Sequence, residues 1–166
     1  MNDLEFYANG VIRNNVAGVR LEAGPTEWEA ALGNDFIDVV EKSDMRRDYG
    51  LMEIFFTRTE AWECTGLTFQ LHRLAWGTDG MIPHTLSERY GEFSQHVPFE
   101  KIRSLLSRGG YEIDEDSSET HGEYIRYRVP GTFASILVIA EPITSEPHER
   151  GSVWSISLNP RPPEQA

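Results

Sequence analysis

The chain has 166 residues, 39% of them hydrophobic and 11% aromatic, which suits one domain or two small fused halves and is too apolar for a disordered segment. Fifteen Lys and Arg stand against twenty-seven Asp and Glu, a net charge of −12, and the excess is shared: residues 1–83 carry seven bases and fourteen acids, residues 84–166 eight and thirteen. A field of that sign repels phosphate backbones and anionic lipid surfaces, which argues against nucleic-acid and membrane partners; it would speed encounter with a basic protein, and it also serves plain solubility.

Residues 3–13 read as a helix capped by Asp3, with Leu4, Ala8, Val11 and Ile12 on one face. A brief extended segment follows at 18–21. Thr26 and Glu29 have the spacing of a capping box, so a second helix is expected over 26–33, with Trp28, Ala31 and Leu32 as its buried stripe and Gly33 as its stop. Strands are expected at 36–40, 49–56 and 67–74. The last alternates, with Leu67, Phe69, Leu71 and Arg73 on one face and Thr68, Gln70, His72 and Leu74 on the other. Alternation with one apolar face means a sheet packed on one side and wet on the other.

Residues 77–97 form a connector, with turn residues at 77–80 and a short helix at 85–90 capped by Thr85. Pro98 then starts a helix through Phe99, Ile102, Leu105 and Leu106 that ends at Gly109-Gly110. Strands follow at 111–114, 124–129, 135–140 and 153–158, with Trp154 expected in the core beside Ile156 and Leu158. The Pro-rich residues 160–166 read as a flexible tail. The expected class is α+β, an antiparallel meander sheet with helices on one face. The order helix, Gly, strands recurs, so residues 1–83 and 84–159 read as two halves of one compact unit, each an α-β-β-β repeat.

Catalytic signatures are missing from the sequence. His72, His84, His96, His121 and His148 include no pair at helical ligand spacing, and Cys64 has no second cysteine, so neither a metal site nor another cofactor is expected. Cys64 has no evident base or helix N-terminus beside it and reads as a structural residue. No glycine-rich loop precedes a helix, and no nucleophile elbow is present. The lone cysteine fits a reducing compartment, residues 1–6 (Met-Asn-Asp-Leu-Glu-Phe) do not resemble a secretion signal, and the longest apolar run, residues 136–140, is too short to span a bilayer. A cytoplasmic location is therefore expected.

Acidic clusters are the candidate contact residues. Asp114, Glu115, Asp116 and Glu119 form the densest group, and Asp44, Asp48, Glu60 and Glu63 surround the first meander. Each group reads either as a docking surface for Lys and Arg or as a solvated loop. Trp62, flanked by Glu60 and Glu63, reads either as an interface anchor or as a strand-end residue folded onto the core edge.

The segments Gly24-Pro25-Thr26-Glu27-Trp28-Glu29-Ala30-Ala31-Leu32-Gly33 and Asp48-Tyr49-Gly50-Leu51-Met52-Glu53-Ile54-Phe55-Phe56 resemble small acidic actinobacterial proteins that include immunity proteins of polymorphic toxin systems. The α-β-β-β unit is also similar to the repeat of the β-lactamase inhibitory protein and to small outer-membrane assembly lipoproteins. With one cysteine, at position 64, the chain departs from both of these latter groups, and their functions are not carried over. The immunity resemblance implies a cytoplasmic, non-enzymatic protein that occludes the active site of a toxin, with a basic toxin domain as partner. The alternative is a small-molecule binder or enzyme whose site lies between the halves, with His72 as first suspect.

Overall fold

Asn2 opens the first helix. In the computed structural model, which describes residues 1–118 and 122–160, its side chain accepts from the backbone N–H of Glu5, and the Glu5 carboxylate accepts from the N–H of Asn2. This reciprocal cap starts α1 (Asp3–Arg13), which closes on Asn14 in the left-handed conformation. Asp3 is therefore not the cap. Its carboxylate is buried and accepts from the N–H of Ser94, 2.9 Å away, fixing the connector to the helix start. A short hairpin follows, β1 (Asn15–Val16) and β2 (Val19–Arg20).

Helix α2 (Pro25–Leu32) begins one residue before its expected start. Pro25 occupies the first helical position, which makes Gly24 the cap residue, and no side chain caps the helix. The capping box expected at Thr26 and Glu29 does not form. Trp28 and Leu32 are buried as expected.

The strands that follow α2 are β3 (Ile37–Glu41), β4 (Asp44–Asp48), β5 (Met52–Arg58) and β6 (Trp62–Phe69). Residues 67–74 are not one strand. The backbone turns at Gln70, and Leu71–Trp76 form a 3₁₀ helix whose buried residues are Leu71 and Leu74. Helix α3 (His84–Tyr90) has Pro83 rather than Thr85 at its cap, and α4 (Phe99–Arg108) follows Pro98 as read. The remaining strands are β7 (Asp114–Glu115), β8 (Tyr124–Arg128), β9 (Ala134–Ile139) and β10 (Val153–Leu158). Strand β7 is shorter and later than the one expected at 111–114.

Among the described residues, eight strands form one antiparallel sheet in the order β3-β4-β5-β6-β10-β9-β8-β7. Two four-strand meanders, one after α2 and one after α4, thus meet through their last strands. Ile156 lies opposite Phe69, Ser157 opposite Thr68 and Leu158 opposite Leu67 at the seam. The chain is α+β, and α1, α2 and α4 cover one face.

That face carries Met52, Ile54, Phe56, Leu67, Phe69, Ile156, Leu158 and Ile136, all buried. Gly10 lets α1 approach it, since a Cβ there would stand 3.0 Å from the Phe69 ring. Phe6, one turn earlier, meets the rings of Phe69, Tyr90 and Phe93 edge-on at 5.1 to 5.4 Å. Each large apolar side chain buried in this layer contributes about 1.5–3 kcal/mol to folding. A bulge between Val153 and Ser155 displaces Trp154 from the Ile156 and Leu158 row, so it is half-buried outside the helix-covered core. Among the described residues no helix is long and apolar enough to cross a membrane.

Candidate binding face

The other face of the sheet is floored by a row running through all eight strands in register. In order it holds Ile37, Asp48, Glu53, Thr68, Ser157, Ser135, Arg128 and Asp114. Small hydroxyl side chains fill its centre: Thr68 and Ser157 bond to each other at 3.1 Å, and Ser135 accepts from Arg126 at 2.9 Å. The face is thus a shallow valley with charged and aromatic walls.

One end of the valley is closed by the 3₁₀ helix. Arg73 donates to Asp48 and to the Gly50 carbonyl, each at 2.9 Å, and also to Glu53, which is buried. Its neighbour His72 stacks on Trp154 with ring centroids 4.1 Å apart and planes 7° apart. Tyr124 and His148 pack edge-on against the same Trp154, and Trp76 leans on His148. Burial, helped by the neighbouring Arg73 and His148, lowers the His72 pKa to about 4. His72 is therefore neutral at pH 7. Its Nε2 lies 3.1 Å from the Gln70 side chain, so the bond it makes is to an amide rather than a carboxylate.

The free edge of the valley is β3. All five of its residues are exposed, with Ile37 at 71%, Val39 at 50% and Val40 at 58% of their full surface. Among the described residues β3 pairs with β4 alone, so its outer backbone groups are available to another strand. Ile37 and Val39 share the open face and Val40 points to the other, so the edge presents exposed aliphatic side chains on both of its sides.

The acidic residues singled out above take different positions. Glu60 is exposed in the β5–β6 turn, and Glu63, opposite Thr57, is exposed on the open face. Asp114 and Glu115 are exposed on β7 at the opposite edge, pointing to opposite faces. Asp116 bonds to Ser118 at 2.6 Å and to Arg128 at 3.2 Å, and these bonds hold its pKa below the usual carboxylate range. Asp48 is tied up with Arg73. Glu119 lies outside the described residues. Asp114 lies in the row of Thr68, five residues along β6 from Glu63, so β7 and the Glu60/Glu63 turn are apart both along the strands and across four strand spacings, about 19 Å. Trp62 belongs to the helix-covered face: it is half-buried against the core, with Arg58 5.1 Å from its ring centroid.

Cys64 is buried, its thiol 3.4 Å from the Gly66 carbonyl, and burial pushes its pKa up to about 11. A thiol held that firmly protonated is no nucleophile. Among the described residues no three His, Cys, Asp or Glu side chains stand where they could share a metal ion.

Sequence reading missed the arginine wall. Arg126 and Arg128 lie on one face of β8, and the pattern Tyr124-Ile125-Arg126-Tyr127-Arg128 carries that signal in its period of two. The open-face charges are consequently mixed rather than uniformly acidic. Compared with known proteins, the chain matches no family model, no curated protein and no solved structure.

Proposed function

We propose that the chain is a non-enzymatic protein-binding module of the immunity type, acting in the cytoplasm, that occludes the active site of a basic toxin domain with its open sheet face and its β3 edge. The observation carrying this reading is the edge itself: Ile37, Val39 and Val40 are 50–71% exposed beside a sheet face that no helix among the described residues covers. Covering each of these side chains with a partner removes apolar surface from water and contributes on the order of 1 kcal/mol. Glu60, Glu63, Asp114 and Glu115 at the margins of the sheet, in a chain of net charge −12, suit a cationic surface.

The reading is tested by capturing the chain's partner from the native host, then rebuilding the complex from purified components. Hydrogen exchange in the complex is expected to protect β3, β4 and the β5–β6 turn. Association is expected to slow by about tenfold or more between low and high salt. Val39→Asp and Glu63→Lys are expected to weaken binding with the melting temperature unchanged. Protection confined to α1 and α4, or a salt-independent association rate, would overturn the reading.

A further inference from the structure

We infer that the β3 edge takes its partner by strand addition: an extended segment of a cationic protein pairs antiparallel with Ile37–Glu41 and carries, at alternate positions in chain order, a base, an apolar residue and a second apolar residue. The inference rests on the occlusion reading for the class of partner, a basic protein, and adds the way that partner is held. Sheet edges recruit foreign strands, and folded chains blunt them with short strands, charges, Pro or bulges. The two edges of this sheet are treated differently. Strand β7 is two residues long, and both are acids. Strand β3 is five residues long, contains neither Pro nor Lys, and pairs with β4 without a register shift.

The backbone groups left free on β3 follow from the bonding of β4. The Arg58 N–H donates to the Ser43 carbonyl at 2.8 Å, and the Tyr49 N–H donates to the Met52 carbonyl at 2.9 Å. The odd-numbered residues from 43 to 49 therefore bond to β5. The even-numbered residues Asp44, Arg46 and Asp48 bond to β3, where they lie opposite Glu41, Val39 and Ile37. That leaves the N–H and C=O groups of Asp38 and Val40 pointing outward from the sheet. Two residues spaced by one, each with both groups free, are the half-ladder that an antiparallel strand completes.

Side chains set what the added segment carries. Ile37, Val39 and Glu41 share the open face, and all three are exposed. Residues of the added strand opposite them stand beside them on that face, so two apolar residues and a base match. The base meets more than Glu41. In register across four strands, Glu41, Asp44, Thr57 and Glu63 form one row, and its three carboxylates belong to exposed residues. Lys42 and Arg46 offset part of this charge, and the −12 of the whole chain adds to it. Asp38, on the covered side, is already held by Arg47 at 2.9 Å, which neutralises the acid at the centre of the strand and fixes the edge before binding.

A second copy of the chain is the poorer occupant. Antiparallel pairing of two β3 strands about Val39 sets each Glu41 opposite Ile37 of the other copy, with no base opposite it, and brings together two chains that each carry a net charge of −12. A basic strand from another protein meets neither cost.

The experiment titrates the full chain with the synthetic peptide acetyl-Thr-Arg-Thr-Val-Thr-Val-Thr-amide, followed by amide NMR and hydrogen exchange. Saturable shifts are expected at residues 37–41. Exchange of the Asp38 and Val40 amides is expected to slow about tenfold near saturation, with Ile37 and Val39, already bonded to β4, changing less. N-methylation of the two threonines that lie between the Arg and the second Val removes the N–H groups facing the edge and is expected to weaken binding about tenfold or more. N-methylation of the two valines, whose N–H groups face away, is expected to leave affinity within about threefold. Glu41→Lys is expected to weaken the peptide about threefold or more and to favour a peptide with Glu in place of Arg, with the melting temperature unchanged. No saturable shift up to about 5 mM, equal losses from the two N-methylated peptides, or a dimer below about 1 mM that Val39→Asp abolishes would overturn the inference. Hydrogen exchange in the complex with the native partner separates the two claims. Protection of β3 and the open face without peptide binding refutes strand addition and leaves occlusion standing. Peptide binding with protection confined to α1 and α4 refutes occlusion and leaves the edge's selection of a basic strand standing.

Discussion

Arg47 and Asp38 face each other across the β3–β4 hairpin in a two-point pair, Nε to Oδ1 at 2.9 Å and Nη2 to Oδ2 at 3.0 Å. The third nitrogen, Nη1, donates to the Pro25 carbonyl at 3.0 Å, and the guanidinium lies 3.7 Å from the centroid of the Phe36 ring. Arg47 is 4% exposed, so one buried cation joins the exposed edge hairpin to the start of α2. Removing its anion leaves that cation without compensation, which in a fully buried pair costs about 3–5 kcal/mol. Asp38 keeps some contact with water, so Asp38→Asn is expected to cost about 2–3 kcal/mol. Arg47→Met removes the charge along with its partner's need and is expected to cost less, about 1 kcal/mol. Urea unfolding of the two variants checks the order; an equal or smaller loss for Asp38→Asn contradicts it.

Gly50 and Gly33 separate backbone strain from steric clash. Both have φ near +90°, where a side chain is disfavoured. A Cβ on Gly33 would meet open space, whereas one on Gly50 would lie 2.7 Å from the Met81 carbonyl oxygen and 2.9 Å from Met81 Cα. That carbonyl cannot retreat cheaply, because it accepts from the Leu51 N–H at 2.7 Å. Gly33→Ala is expected to cost about 1–2 kcal/mol, from strain alone. Gly50→Ala is expected to cost at least about 2 kcal/mol more, or to prevent folding. Thermal denaturation of both variants reads the difference.

Runs of β-branched and aromatic residues made the strands at β8, β9 and β10 legible, and the helix after Pro98 was legible because Phe99, Ile102 and Leu106 have helical spacing and are buried. It misled at residues 67–74. Leu71 and Leu74 are three apart and both buried, a helical spacing hidden inside an apparent alternation that runs on from β6. Strand β4 went unread because Asp-Met-Arg-Arg-Asp looks like a turn. It is a strand because Arg47 finds Asp38, and that compensation exists only once β3 and β4 have paired. The bulge that displaces Trp154 leaves no mark on a pattern of residue types. The exposed acids Glu60, Glu63, Asp114 and Glu115 were found from charge. The aliphatic edge at β3 and the open-face arginines of β8 depend on strand order and register, which one sequence does not display.

Cys64 offers a direct probe of how tightly the β5–β6 hairpin closes. Its thiol is buried and its pKa lies near 11. A disulfide reagent acting through the thiolate is expected to react at pH 8 at least about a hundredfold slower with the native chain than with the chain in 6 M guanidinium. The modification rate should follow urea concentration in parallel with unfolding. Rapid reaction of the native protein would mean that the β5–β6 hairpin opens locally.

Stacking of His72 on Trp154 makes the junction of the two meanders sensitive to acid. Burial is the main reason the imidazole protonates only near pH 4 in the folded chain, with the charge of Arg73 and the facing His148 acting in the same direction. In the unfolded chain it protonates near 6.5. As pH falls from 6.5 towards 4, the unfolded state therefore takes up a proton that the folded state refuses, and stability declines; above 6.5 and below 4 this residue adds no slope. Because His72 is only half-buried, its contribution is discounted for solvent screening to about 1–2 kcal/mol across that window. His72→Phe keeps an aromatic ring in the stack and removes the proton. Its stability between pH 7 and pH 4.5, measured by urea unfolding, is expected to fall by about 1–2 kcal/mol less than that of the parent chain. Parallel pH profiles would show that the imidazole gains its proton without leaving the stack, and that the seam does not resist charge.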